Sequence, residues 1–268
     1  MMLMMAPRAA VCANRIMEVL NTSSSVAPPT APVTELPEHG TVRFEDVEFA
    51  YPGADAPVLS GVNFELRPGQ TTAVVGSTGS GKSTLLSMVA GVLEPTDGDV
   101  LIHGQANDTL QARAEMSWLP DAPVLYDDLS LWEHLEYISR MHGGSGDDPF
   151  LMELLERLGV DDRKDHLPSQ FSRGLRQKSA IAVALCRPFS ILLVDEPFVG
   201  LDTSGRLALL ELIDEARDND ATVLVATHDP DVIDRFERGL MLENGELIHD
   251  GPASELHRLL GADDRHSS

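Results

Sequence analysis

The chain has 268 residues, room for one large domain or a domain with a subdomain, and its 43% hydrophobic content suits a globular protein that buries a core. Its 43 acids against 20 bases give a formal charge of −23, and Lys82, Lys164 and Lys178 are its lysines. That balance argues against nucleic acid, whose phosphates need a basic face, and against electrostatic docking on anionic lipid.

In chain order, residues Met1–Leu20 read as an amphipathic helix, with Ile16, Val19 and Leu20 opposed by Arg15 and Glu18. Met1–Ala13 does not read as a cleaved signal, because Arg8 interrupts the apolar stretch and nothing basic precedes it. Asn21–Pro37 has the Ser, Thr, Ala and Pro composition of a linker. From Thr41 an alternating pattern with Val42 and Phe44 on one face predicts β structure up to Tyr51 and Pro52. Thr71–Val75 is a short apolar run ending in a glycine loop, and a helical stretch follows from Lys82 to about Ala90. Leu129–Met141, Phe150–Leu158 and Gly174–Leu185 carry helical periodicity, so residues 106–188 read as a helical insert. Ile191–Val194 and Thr222–Ala226 are short apolar runs of the kind buried on both faces of a parallel sheet. Asn244-Gly245, between Leu240–Leu242 and Leu247–Ile248, is a hairpin signal. Ala262–Ser268 is polar and expected to fray. No apolar run reaches the roughly 18 uncharged residues of a membrane span. Cys12 and Cys186 stand far apart and read as free thiols of a reducing cytoplasm.

The chemistry begins at Gly76-Ser77-Thr78-Gly79-Ser80-Gly81-Lys82-Ser83, a complete GxxxxGK[ST] string in a strand–loop–helix setting, with Thr84 following. Its glycines let successive backbone N–H groups point at phosphate oxygens, and the helix that starts here adds its positive end. Lys82 can reach the β- and γ-phosphates of a nucleotide, and the Ser83 hydroxyl is placed for Mg²⁺. The string Ile191–Glu196 is an apolar strand ending in two carboxylates. Asp195 suits Mg²⁺, directly or through water, and Glu196 suits the base that deprotonates the attacking water.

With these motifs the stretch Thr41–Pro252 resembles the nucleotide-binding domains of ABC (ATP-binding cassette) transporters. Four further elements stand in the family's order. Tyr51 matches an aromatic that stacks on adenine, Phe171-Ser172-Arg173-Gly174-Leu175 occupies the signature position, Gly200-Leu201-Asp202 resembles the D-loop, and His228 resembles the switch histidine that senses the γ-phosphate. The resemblance implies an α/β, P-loop nucleoside triphosphatase core with a parallel sheet, an antiparallel β subdomain and a helical subdomain at about 106–188. It sets residues 1–40 apart as a helix and linker extension and 253–268 as a tail, around a nucleotide-binding domain at 41–252. It also implies ATP and Mg²⁺ as ligands and a paired site, in which Ser172 and Gly174 contact the nucleotide held by a second such domain, identical or not. A transmembrane permease subunit is the implied partner, holding the chain at the cytoplasmic face of the membrane with no nucleic acid involved.

The chain departs from the family pattern in two places. Arg173 and Leu175 replace a glycine and a glutamine of the signature, and Asp121 stands where the family places the glutamine that helps arrange Mg²⁺ or water. In addition, Met1–Gly91, with Arg15–Leu20, resembles a fused exporter half, whereas the sequence from about Val92 resembles a stand-alone ATPase subunit. Export is the direction both halves favour. Two other readings compete: a soluble ABC protein of translation or repair, disfavoured by a single cassette and an acidic charge, and a non-catalytic regulator, suggested by Asp121 and the altered signature.

Overall fold

The computed structural model describes residues 40–146 and 148–263. The amphipathic helix, linker and Cys12 expected at the start lie outside the described residues, as does most of the polar tail.

Alternation builds the first sheet. β1 (Val42–Phe49) buries Val42, Phe44, Val47 and Phe49, and β2 (Leu59–Leu66) buries Leu59, Val62, Phe64 and Leu66. Pairing these antiparallel strands sets Phe44 opposite Phe64, with ring centroids 4.5 Å apart and stacked. β4 (Asp97–Ile102) joins the other edge of β1, and the short β5 (Gln105–Ala106) completes the order β2-β1-β4-β5.

The second sheet is of the other kind. β3 (Thr71–Val75), β7 (Ile191–Asp195) and β8 (Thr222–Ala226) are buried along their full lengths, as strands covered on both faces must be. The order is β10-β9-β3-β8-β7-β6, with β6 (Met116–Leu119) parallel to β7, β9 (Arg238–Glu243) parallel to β3, and β10 (Glu246–Pro252) antiparallel to β9. Alternate side chains feed two cores. Ala73, Val75, Leu192, Val194, Val223 and Val225 join the helices on one side, while Val74, Leu193, Leu224 and Ala226 meet the first sheet on the other.

The helices follow the apolar periodicity. α1 (Lys82–Val89) buries Leu85, Leu86, Met88 and Val89 against the antiparallel sheet's core. α2 (Leu110–Glu115) is capped by the Thr109 hydroxyl, which accepts from the Ala112 N–H at 3.1 Å. α3 (Leu131–Met141) opens on a reciprocal cap between Ser130 and Glu133. α4 (Pro149–Leu158) starts behind Asp148 with proline in its first turn. α5 (Arg173–Leu185) and α6 (Thr203–Asp218) pack with α4 on the same core, and the short α7 (Pro230–Ile233) and α8 (Leu256–Asp263) close the chain.

Within residues 106–188, β6 first returns to the edge of the large sheet, so the uninterrupted helical part runs from Leu131 to Leu185. The expected hairpin is present: Asn244 and Gly245 both take positive φ, 49° and 84°, as a two-residue turn of the primed kind requires. Cys186 is free and buried, and burial pushes its thiol up to about 12. No helix among the described residues is long and apolar enough to cross a membrane.

Candidate active site

The site lies where β3, β7 and β8 end together. β3 stops at Val75, and the chain curls through Gly76–Gly81 into α1. Gly81 holds φ at 105°, and a Cβ there would sit 2.6 Å from Leu59 Cδ2; the loop can turn this tightly against β2 only because the residue has no side chain. The Lys82 ammonium lies across the loop, donating to the Gly76 carbonyl at 2.9 Å and the Ser77 carbonyl at 3.2 Å. Its charge is thus held inside a ring of backbone dipoles next to the N-terminus of α1.

Asp195 ends β7 and is buried, and its Oδ1 has no hydrogen-bond partner among the described residues. Burial pushes its carboxyl above the usual range. Repulsion from Asp121 and Glu196 works in the same direction, while a hydrogen bond from Ser83 and the charge of Lys82 oppose it. Glu196 follows with φ at 46°, a left-handed backbone that a non-glycine residue adopts at a cost; its N–H donates to the Ala226 carbonyl at 2.9 Å, which ties it to the end of β8. One residue beyond β8, the Thr227 N–H donates to the Val74 carbonyl at 3.1 Å, and His228 then places Nδ1 2.8 Å from Glu196 Oε2. An ionised carboxylate only accepts, so Nδ1 carries the proton in this bond. His228 is two-thirds exposed and Glu196 largely covered, with side-chain exposures of 69% and 18%.

These groups share one cleft of about 570 Å³, a size within the range of small-molecule sites. Of the residues expected from the sequence, Tyr51, Thr78, Gly79, Gly81, Lys82, Ser83, Thr84, Asp121, Glu196 and His228 line it. Gly76, Ser77 and Ser80 belong to the same loop without lining the cleft, and Asp195 is buried next to it. Tyr51 stands at the rim, edge-on to Phe49 at 4.9 Å, its hydroxyl 3.5 Å from Thr84 Oγ1.

The signature residues stand elsewhere. Ser172 caps α5 by accepting from the Leu175 N–H at 3.3 Å, and neither it nor Gly174 is among the cleft-lining residues. Leu175 and Phe171 pack on the helical core, which accounts for an apolar residue in place of glutamine, and Arg173 lies exposed with its stem along Gly200. Asp202 is also outside the cleft: it caps α6 through the Gly205 N–H at 2.9 Å and pairs with Lys178. The sequence reading missed Val58 and Val199, which line the cleft as ordinary loop residues. It also missed the pair of Arg206 with Asp229, which holds the turn after His228 to α6; no local pattern marks such tertiary neighbours.

The donor set fits a nucleotide and a divalent cation. An unpartnered, buried carboxylate oxygen at Asp195 and a neighbouring hydroxyl at Ser83 suit Mg²⁺. No cluster of three or more His, Cys, Asp or Glu groups able to hold a metal occurs among the described residues. The remaining ligands would therefore come from phosphate oxygens and water, the usual habit of this ion.

Comparison with known proteins agrees with this geometry. The family model described as ABC transporter matches residues 59–199. The chain is 35% identical over 213 residues to the ABC-type transporter ATP-binding protein EcsA of Bacillus subtilis (strain 168), covering 78% of this chain and 86% of that protein. It is 35% identical to the mycobactin import ATP-binding/permease protein IrtB of Mycobacterium tuberculosis (strain ATCC 25618 / H37Rv) and 31% identical to the macrolide export ATP-binding/permease protein MacB of Escherichia coli (strain K12). Those matches cover 80% and 82% of this chain but span only 38% and 36% of the relatives' lengths. Among solved structures, that of an ATP binding subunit of an ABC transporter superposes with a TM-score of 0.73 at 29% identity, covering 82% of this chain and 93% of its own. A bacterial Atm1-family ABC exporter with ATP bound gives 0.74 at 25% identity, covering 94% of this chain and 45% of its own. The sheet order, the phosphate loop and these matches converge: the chain belongs to the ABC transporter family, as one of its ATP-binding subunits.

Proposed function

We propose that the chain hydrolyses ATP to ADP and phosphate and thereby drives a separate transmembrane permease, with export the favoured direction. The observation that carries the reading is the Glu196–His228 hydrogen bond in the cleft that Lys82 also lines, next to the buried Asp195 with its unpartnered oxygen. ATP would lie with adenine on Tyr51 and its phosphates in the Gly76–Ser83 loop, the β- and γ-phosphates taking Lys82 from the Gly76 and Ser77 carbonyls. Mg²⁺, held by Ser83 and Asp195 with Asp121 nearby, would supply charge neutralisation at the phosphates.

Glu196 accepts a proton from a water whose oxygen attacks the γ-phosphorus. The bond from that phosphorus to the bridging oxygen breaks, and ADP leaves with the electron pair. The His228 Nδ1–H holds one oxygen of the Glu196 carboxylate. Ser172 and Gly174 lie outside their own chain's cleft, which favours a pair of such domains in which each offers its signature to the other's nucleotide. The names of the relatives divide between import and export; the exporter-like stretch before Gly91 favours export. A permease partner would hold the chain on the cytoplasmic face of the membrane.

The test is phosphate release by the full chain with Mg²⁺ and ATP, compared with Glu196→Gln. The variant is expected to lose about 10²–10⁴-fold in rate, the contribution of a general base, while still binding ATP. Undiminished release would remove Glu196 from the mechanism.

A further inference from the structure

The loop between Glu196 and α6 is held from one side by the signature helix. Gln177 donates its side-chain N–H to the Pro197 carbonyl at 3.2 Å. Gly174 lies so close to Gly200 that a Cβ on it would stand 2.9 Å from the Gly200 carbonyl oxygen. Lys178 completes the clamp, its ammonium 2.9 Å from Asp202 Oδ1 and 3.2 Å from Oδ2. The Lys178 side chain is 10% exposed and that of Asp202 63%, so a covered cation reaches up to grip a carboxylate at the surface. Gly205 leaves the space for this: a Cβ there would stand 2.6 Å from Lys178 Cε and 2.9 Å from Asp202 Oδ1.

An ion pair with so exposed a carboxylate contributes little to stability. What it does determine is geometry. The clamped loop starts at the strained Glu196 backbone and contains Val199, which lines the cleft, and Phe198, which is buried in the core. A shift of the loop therefore reaches Glu196, and small displacements of a general base are costly in rate.

We propose that Lys178 is a positioning residue for hydrolysis: through Asp202 it holds the loop after Glu196 against the signature helix, so that the base and the signature surface keep one fixed relation. The inference rests on the ATPase reading above.

Initial rates of phosphate release by the full chain, over a range of ATP concentrations, test it. Lys178→Met is expected to lower kcat about ten- to a hundredfold and to leave KM within about twofold, as for a group acting only in the chemical step. Lys178→Arg, whose planar fork can hold both Asp202 oxygens, is expected to recover most of the rate. Gly205→Ala gives an independent reading. Its methyl group would stand 2.6 Å from Lys178 Cε and 2.9 Å from Asp202 Oδ1, so the Lys178–Asp202 contact should open and kcat should fall as in Lys178→Met. The proposal is overturned if kcat of Lys178→Met stays near wild type, or if kcat, KM and thermal midpoint deteriorate together. A wild-type chain that releases no phosphate would overturn the ATPase reading as well, and would show itself before any variant is compared.

Discussion

Asp195 carries the plainest electrostatic tension in the molecule, because it is buried, faces two other carboxylates and leaves one oxygen unpaired. Its carboxyl titrates above the usual range, so on raising the pH the unfolded chain gives up this proton before the native chain does. Stability consequently falls as pH rises from 3.8 through the raised native value. Asp195→Asn is therefore expected to raise the thermal midpoint of the nucleotide-free chain at pH 7, with the gain vanishing below pH of about 3.8. Mg²⁺ and ATP are expected to stabilise the wild-type chain, and the same variant should lose that gain. Scanning calorimetry across pH, with and without Mg-ATP, checks both signs; a variant less stable than wild type at pH 7 without ligand would refute the account of this residue. Asp195 and Glu196 were legible in the sequence because an apolar strand and its terminal acids are contiguous. Their coupling to His228 was not, since that bond spans two strand ends 32 residues apart.

At the level of elements, the phosphate loop is as much a joint between the two sheets as a ligand cradle. Gly81 is left-handed and pressed on Leu59 and the Val58 carbonyl of the β2 end, so Gly81→Ala combines backbone strain with a clash. It is expected to cost about 1–3 kcal/mol of stability, measured by urea denaturation, and a loss under half a kcal/mol would show that the loop relaxes freely. Five-residue strands buried on every residue, such as β7 and β8, announce a parallel sheet in the sequence itself. β2 was less visible, because its buried positions step by three from Leu59 to Val62 before Val62, Phe64 and Leu66 alternate; the exposed Asn63 bonds across to Asp46 at the bulge of β1. Within 106–188 the helices run from Leu131 to Leu185, and β6 is only four residues long, its pairing with β7 a long-range event that no local pattern shows.

For the whole molecule, the cleft and the signature surface are separate features of one chain, joined by the Lys178–Asp202 contact and the loop it clamps. The order of motifs along the sequence was enough to name the family, because each motif is local. How the signature helix relates to the loop after Glu196 depends on packing between α5, α6 and the end of β7, and no periodicity reveals that. The departures also gain physical meaning only in three dimensions: Leu175 faces the core, and Asp121 adds a charge beside Asp195. The central claim, that this cleft hydrolyses ATP with Glu196 as base, is tested most directly by the nucleotide each chain holds after incubation with Mg²⁺ and ATP. Rapid desalting and chromatography of the bound nucleotide should find ADP on the wild-type chain and intact ATP on Glu196→Gln. ADP on both, or intact ATP on both, would contradict it.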